Sequence, residues 1–162
     1  MKLPWFRDSD DAFCDVVQQE FGTLAKECGS VFKQIEPMIF GFCTEYAVLT
    51  IGAYSGHFRG ICVTLRRREA GEAVSVRDGV DIGLANVEEL VTGRHSAVYR
   101  ARQRWEAREI EEEVAGLAAV VRQVALPFLT TPSGDWIGLR AFVDEKIQKA
   151  SKPGAALYGK NA

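Results

Sequence analysis

The 162-residue chain is short of the residues that most enzymes use for chemistry. It has two histidines, His57 and His95. It contains no Walker loop, no GxGxxG, no HExxH and no EF-hand spacing, so the commonest phosphate and metal sites leave no trace. The four cysteines, Cys14, Cys28, Cys43 and Cys62, form no CxxC pair, which argues against zinc and for reduced, partly buried thiols. All four lie in the first half, and one disulfide stays open from sequence. No apolar run approaches the roughly 20 residues that span a bilayer. The start, Met1 to Asp8, lacks the apolar segment of a signal peptide, so a cytoplasmic location is expected. Net charge is −2, which gives no overall bias towards nucleic acid or anionic lipid.

What is present reads as a single α+β domain over 1–150, followed by a flexible C-terminal tail over 151–162. The centre of the chain is rich in β-branched and aromatic residues. Tyr46–Tyr54 and Phe58–Leu65 alternate as strands do. Ala47, Leu49, Ile51 and Ala53 make one apolar face, and Tyr46, Val48, Thr50 and Tyr54 make a face expected to be partly wet. Ser55-Gly56-His57 is the first turn, and Arg66 to Glu72 is the second. A third run goes from Ala73-Val-Ser-Val76 to Ile82, with a turn signal at Asp78-Gly79. The pattern predicts an antiparallel meander of about four strands. Val31–Cys43 reads as an edge strand or two short strands, because Pro37 breaks the ladder and Gly41 permits a close approach.

Helices are expected on either side of the sheet. Ser9–Cys28 carries Phe13, Val17, Phe21, Leu24 and Cys28 on one stripe and stops at Gly29. Asn86 caps a short helix that Gly93 ends. A long helix is expected from about Ser96 to Ala125, with Ile110, Val114, Leu117, Val121 and Val124 inward. Its first half does not share that stripe, and a break near 106–110 is the alternative. Pro127 and Pro132 mark a turn. The final helix, Gly134–Ala150, should bury Trp136, Leu139, Val143 and Ile147.

Arginine is the unusual feature. Arg94, Arg100, Arg102, Arg104 and Arg108 crowd the start of the long helix, and Arg100, Arg104 and Arg108 would stack at i, i+4. Like charges so spaced repel by a few tenths of a kcal/mol each. Trp105 is left off the main stripe, and Arg66, Arg67 and Arg68 form a second basic cluster near a hairpin turn. Two explanations compete: a surface for an anionic partner, or a solvated face neutralised by Glu106, Glu109 and Glu111 to Glu113. Ser55 beside His57 invites a hydrolase reading, but the nucleophile elbow needs G-x-S-x-G at a strand-to-helix turn. A polar hairpin turn accounts for both residues, and a solvated or capping role for His95. The Glu109–Glu113 carboxylates fan around a helix and do not converge on a metal.

Tyr46-Ala-Val-Leu-Thr-Ile, Phe58-Arg-Gly-Ile-Cys-Val-Thr-Leu and Asp81-Ile-Gly-Leu followed by Val87-Glu-Glu-Leu carry a resemblance of architecture. In their order the chain resembles small bacterial cytosolic α+β proteins, including immunity proteins encoded beside polymorphic toxins. The missing catalytic constellation, the small size and the Arg/Trp helix face lead to the expectation of a non-catalytic protein that binds another protein, with toxin neutralisation as its sharpest version and no cofactor or metal expected. The resemblance assigns no functional residue. From the residues themselves, the partner surface is Arg66, Arg67, Arg68, Arg100, Arg104, Arg108 and Trp105. The competing expectation is a nucleic-acid-associated protein that uses the same arginines on phosphate.

Overall fold

The computed structural model describes residues 9–54, 60–77, 79–100 and 106–151. Helix α1 (Ser9–Glu27) is followed by strands β1 (Lys33–Glu36), β2 (Ile39–Cys43), β3 (Ala47–Tyr54), β4 (Gly60–Arg67) and the two-residue β5 (Ile82–Gly83). Helix α2 (Leu84–Thr92) comes next. Helix α3 (Ala107–Val120) runs through a π turn, Val121–Ala125, into α4 (Leu126–Thr130), and α5 (Trp136–Ser151) completes the described chain. The sheet is an antiparallel meander in the order β1-β2-β3-β4-β5. The fold is therefore α+β as expected, with five strands instead of about four. Of the tail expected over 151–162, Ser151 is the last residue of α5, and residues 152–162 lie outside the described residues.

The core forms where the apolar alternation of the strands meets the helical stripes. In register, Phe42 faces Leu49 and Leu49 faces Leu65, while Phe40 faces Ile51 and Ile51 faces Val63. All of these are buried, against Phe13, Val17, Phe21 and Leu24 of α1 and Ile110, Val114 and Leu117 of α3. Gly29 ends α1 in the left-handed conformation at φ 70°, as expected of a C-terminal stop. Helix α1 lies along α3. The stretch Ala107–Thr130 is long and apolar enough to cross a membrane by length and composition, and half of that window is buried inside the fold.

Several sequence expectations need correction, among them the Asn86 cap: α2 starts at Leu84 after Gly83, without a side-chain cap, and Asn86 lies inside it. The third strand run does not form. Residues 73–77 and 79–81 leave the ladder, and among the described residues only Ile82 and Gly83 pair with β4. The cause is Arg66, which draws this segment across the sheet. The second face of β3 is consequently covered, with Val48 and Thr50 buried. Thr50 and Thr64 share a hydrogen bond across the strands at 2.5 Å. Over the same face, a Cβ added to Gly41 would sit 2.9 Å from the Val74 side chain, the close approach that this glycine permits.

The long helix begins at Ala107, at the break near 106–110 expected as the alternative, and not at Ser96; Glu106 is still extended. The buried carboxylate of Glu88 accepts hydrogen bonds from the Ala97 amide at 2.9 Å and from the Ser96 hydroxyl. An amide held by a side chain cannot join a helical ladder. Glu88→Ala should therefore release the loop at 94–100 and cost about 1–3 kcal/mol. Amide exchange should show lost protection at Ala97, and unchanged protection there would refute the tether.

The chain does not turn at Pro127. Proline lacks an N–H and its ring presses on the carbonyl four residues back, and the π turn at Val121–Ala125 loosens the helix at that point. The chain turns after Thr130. Finally, α5 buries Leu139 and packs Trp136 and Val143 against the core, but Ile147 is exposed.

Candidate functional site

The expected arginine ladder on one helix is not there. Arg100 lies in the loop before α3 and is exposed, while Arg108 sits in the first turn and bonds Glu112 at 3.1 Å. Arg102, Arg104 and Trp105 lie outside the described residues, as do Ser55 and His57. Arg94 and His95 are exposed in the loop after α2. Arg100 does share a cavity of about 550 Å³ with Glu109, Glu112 and Glu113, so this region mixes both signs of charge.

The second basic cluster divides into three different roles. Arg66 lies within β4, not in a turn, and is 2% exposed, so it offers no charge to a partner. All five of its N–H groups are used. Nε and Nη2 both reach Glu72 Oε1, and Nη1 donates to Ser75 O and Asp81 Oδ1, each at 2.7 Å. Nη2 also donates to Ser75 Oγ at 3.0 Å. Glu72 in turn accepts the Glu69 amide, and Asp81 accepts the Arg77 amide. Burial alone would raise the Glu72 carboxyl, but the Glu69 amide and the Arg66 guanidinium outweigh it and hold its pKa below the usual value.

Arg68 is a clamp. It donates to Thr44 O at 3.0 Å and to Glu72 O at 2.9 Å, and so joins the β2–β3 turn to the loop after β4. That turn is itself closed by the Thr44 hydroxyl, which accepts the Tyr46 and Ala47 amides at 3.1 Å.

The Arg67 side chain is exposed at the end of β4, and its guanidinium makes no hydrogen bond or ion pair among the described residues. It lines a cleft where cationic and aromatic side chains meet. A cavity of about 540 Å³ is lined by Arg66, Arg67, Arg68, Glu69, Val80, Ile82, Trp136 and Arg140. A neighbouring cavity of about 260 Å³ shares Arg67, Arg68 and Trp136 and adds Tyr46, Glu45, Asp135 and Ile137. Trp136 is fixed edge-on to Phe128 at 4.9 Å between ring centres. Arg140 donates to Val80 O at 2.7 Å. Asp135 caps α5 by accepting the Gly138 amide at 2.8 Å.

Trp136 was expected only as a core residue, and Arg140 was not expected at the site at all. Their spacing at i, i+4 was the available signal, since it puts both on one helix face. Nothing in the local pattern showed that this face meets the end of β4.

The cysteines have the character of structural thiols. None forms a disulfide, and burial pushes Cys14, Cys28 and Cys62 above the ordinary thiol value. Little thiolate is then available near neutral pH. Among the described residues, no three His, Cys, Asp or Glu side chains gather into a metal site. No protein-family model, curated protein or solved structure matches this chain.

Proposed function

We propose that this protein is a non-catalytic module that binds another protein, and that neutralisation of a toxin in the bacterial cytoplasm is the sharpest form of that role. The observation that carries the reading is the surface around the start of α5. Ile137 is 83% exposed there, next to an anchored Trp136 and the unpaired Arg67. Binding energy at protein interfaces concentrates on tryptophan, tyrosine and arginine in such settings, with apolar neighbours that exclude water. Two of the arginines expected to bind a partner, Arg66 and Arg108, are already engaged within the chain.

A tagged pull-down from the native host, at low and high salt, tests the proposal. The expected result is one stoichiometric protein that survives the high-salt wash. A clean monomer at both salt concentrations would overturn it. Nucleic acid that washes off with salt would favour the second reading, in which Arg67, Arg68 and Arg140 contact phosphates, since such binding weakens linearly in log affinity with log salt.

A further inference from the structure

We infer that the cleft between the end of β4 and the first turns of α5 receives an acidic segment of the partner protein, with a carboxylate between Arg67 and Arg140 and an apolar neighbour against Trp136. This rests on the protein-binding proposal and names its site and partner chemistry.

Charge complementarity chooses the occupant. Besides Arg66, the larger cavity is lined by three arginines, Arg67, Arg68 and Arg140, against the single carboxylate of Glu69. The fourth, Arg66, is neutralised from behind by Glu72 and Asp81. Arg68 and Arg140 spend hydrogen bonds on backbone carbonyls, which fixes their guanidinium planes; Arg140 is also partly balanced by Asp144 at 3.8 Å, so Arg67 and Arg68 carry most of the positive charge of the cleft. Arg67 has its whole fork available for bidentate contact with a carboxylate. The same cavity has an apolar wall of Val80, Ile82 and Trp136. A chain that alternates acidic and apolar side chains would satisfy both walls. A bare polyanion would leave the apolar wall unused.

The cleft is also preformed. Its strand side is set by the β3–β4 ladder, where Ala47 pairs with Arg67. Its helix side is set by the Trp136–Phe128 contact and by the Asp135 cap. Rigid walls lower the ordering cost of association, so a short segment suffices.

The test measures fluorescence anisotropy with a labelled peptide, Glu-Phe-Glu-Glu-Leu-Glu, its all-glutamine counterpart, and a labelled 20-nucleotide uridine RNA. The proteins are wild type, Arg67→Glu, the milder Arg67→Gln, and Lys149→Glu as an equal charge change remote from the cleft. Circular dichroism confirms the fold of each. The acidic peptide should bind wild type and Lys149→Glu alike, weaken at least about tenfold in Arg67→Glu, and weaken less in Arg67→Gln. The glutamine peptide should not bind. Equal binding of the acidic peptide by all four proteins, or by none, overturns the inference. RNA binding that falls with Arg67→Glu, in the absence of peptide binding, also overturns it. The native-host pull-down repeated with Arg67→Glu separates the two proposals. A partner retained by the variant as by wild type sinks the cleft and leaves protein binding standing. No partner for wild type sinks both.

Discussion

Arg66→Ala should lower stability by about 3–5 kcal/mol, as removal of one member of a buried ion pair does. The deletion leaves Glu72 and Asp81, 13% and 7% exposed, with negative charge and only the exposed Arg77 guanidinium, 3.7 Å from Glu72, to offset it. Arg66→Lys should recover little, because an ammonium has three donors where the guanidinium uses five. Replacing all three charged members together, as Arg66→Met with Glu72→Gln and Asp81→Asn, should cost much less than Arg66→Ala, since no buried charge then remains. Urea unfolding of the three variants distinguishes these outcomes. A loss below about 1 kcal/mol for Arg66→Ala would mean that the network is solvated and not structural.

The pH dependence follows from the lowered pKa of Glu72. A carboxyl that titrates lower in the folded protein than in the unfolded chain contributes stability at pH values above its unfolded pKa. That contribution disappears as the pH falls through the folded value. The unfolded value is about 4.3. The wild type should therefore lose stability from about pH 5 downward. In Arg66→Ala, burial acts on Glu72 against the Glu69 amide and Arg77 alone, so its pKa rises and protonation costs the variant less than the wild type. The stability gap between the two proteins should narrow in acid. A gap that is constant between pH 7 and pH 4 would contradict the network.

The same arginine shows what a local pattern can and cannot say. Helix α1 was legible because Phe13, Val17, Phe21 and Leu24 repeat at helical spacing and need only a flat apolar surface to pack on. Strands β3 and β4 were legible for the same reason at period two. The stretch Ala73–Val76 has strand composition too, yet Arg66 takes the Ser75 carbonyl and side chains six and fifteen residues ahead of itself. Propensity carries no information about such a side-chain bond, and the ladder lost. The loop at 94–100 was misread similarly, because Glu88 binds an amide nine residues on. At the candidate site, Arg67 was flagged for its charge alone. Its relation to Trp136 and Arg140 depends on how α5 returns to the sheet, and that is set by tertiary packing.

Phe40→Ala should be the other large loss, about 3–5 kcal/mol. Phe40 is 1% exposed and lies at the junction of three elements. Its ring is stacked on Phe32 at 5.7 Å with the planes nearly parallel, and tilted against Phe13 of α1 at 6.3 Å. Its backbone is paired on both sides, with Gln34 of β1 and Ile51 of β3. Truncation therefore opens a void that the sheet cannot close by moving one strand, and such voids carry the full cavity cost. Phe32 is only partly buried, so Phe32→Ala should cost less than half as much. The tilted pair adds a term of its own. A cycle of Phe13→Ala and Phe40→Ala should show a coupling of about 0.5–1.5 kcal/mol. The midpoint of urea unfolding should fall while its slope holds, because the change lies in the native contacts and not in the unfolded chain. A Phe40→Ala loss no larger than that of Phe32→Ala would show that β2 is not seated on α1. The hairpin of β1 and β2, held to the rest by this aromatic cluster and by β3, would then be the part of the fold to revise.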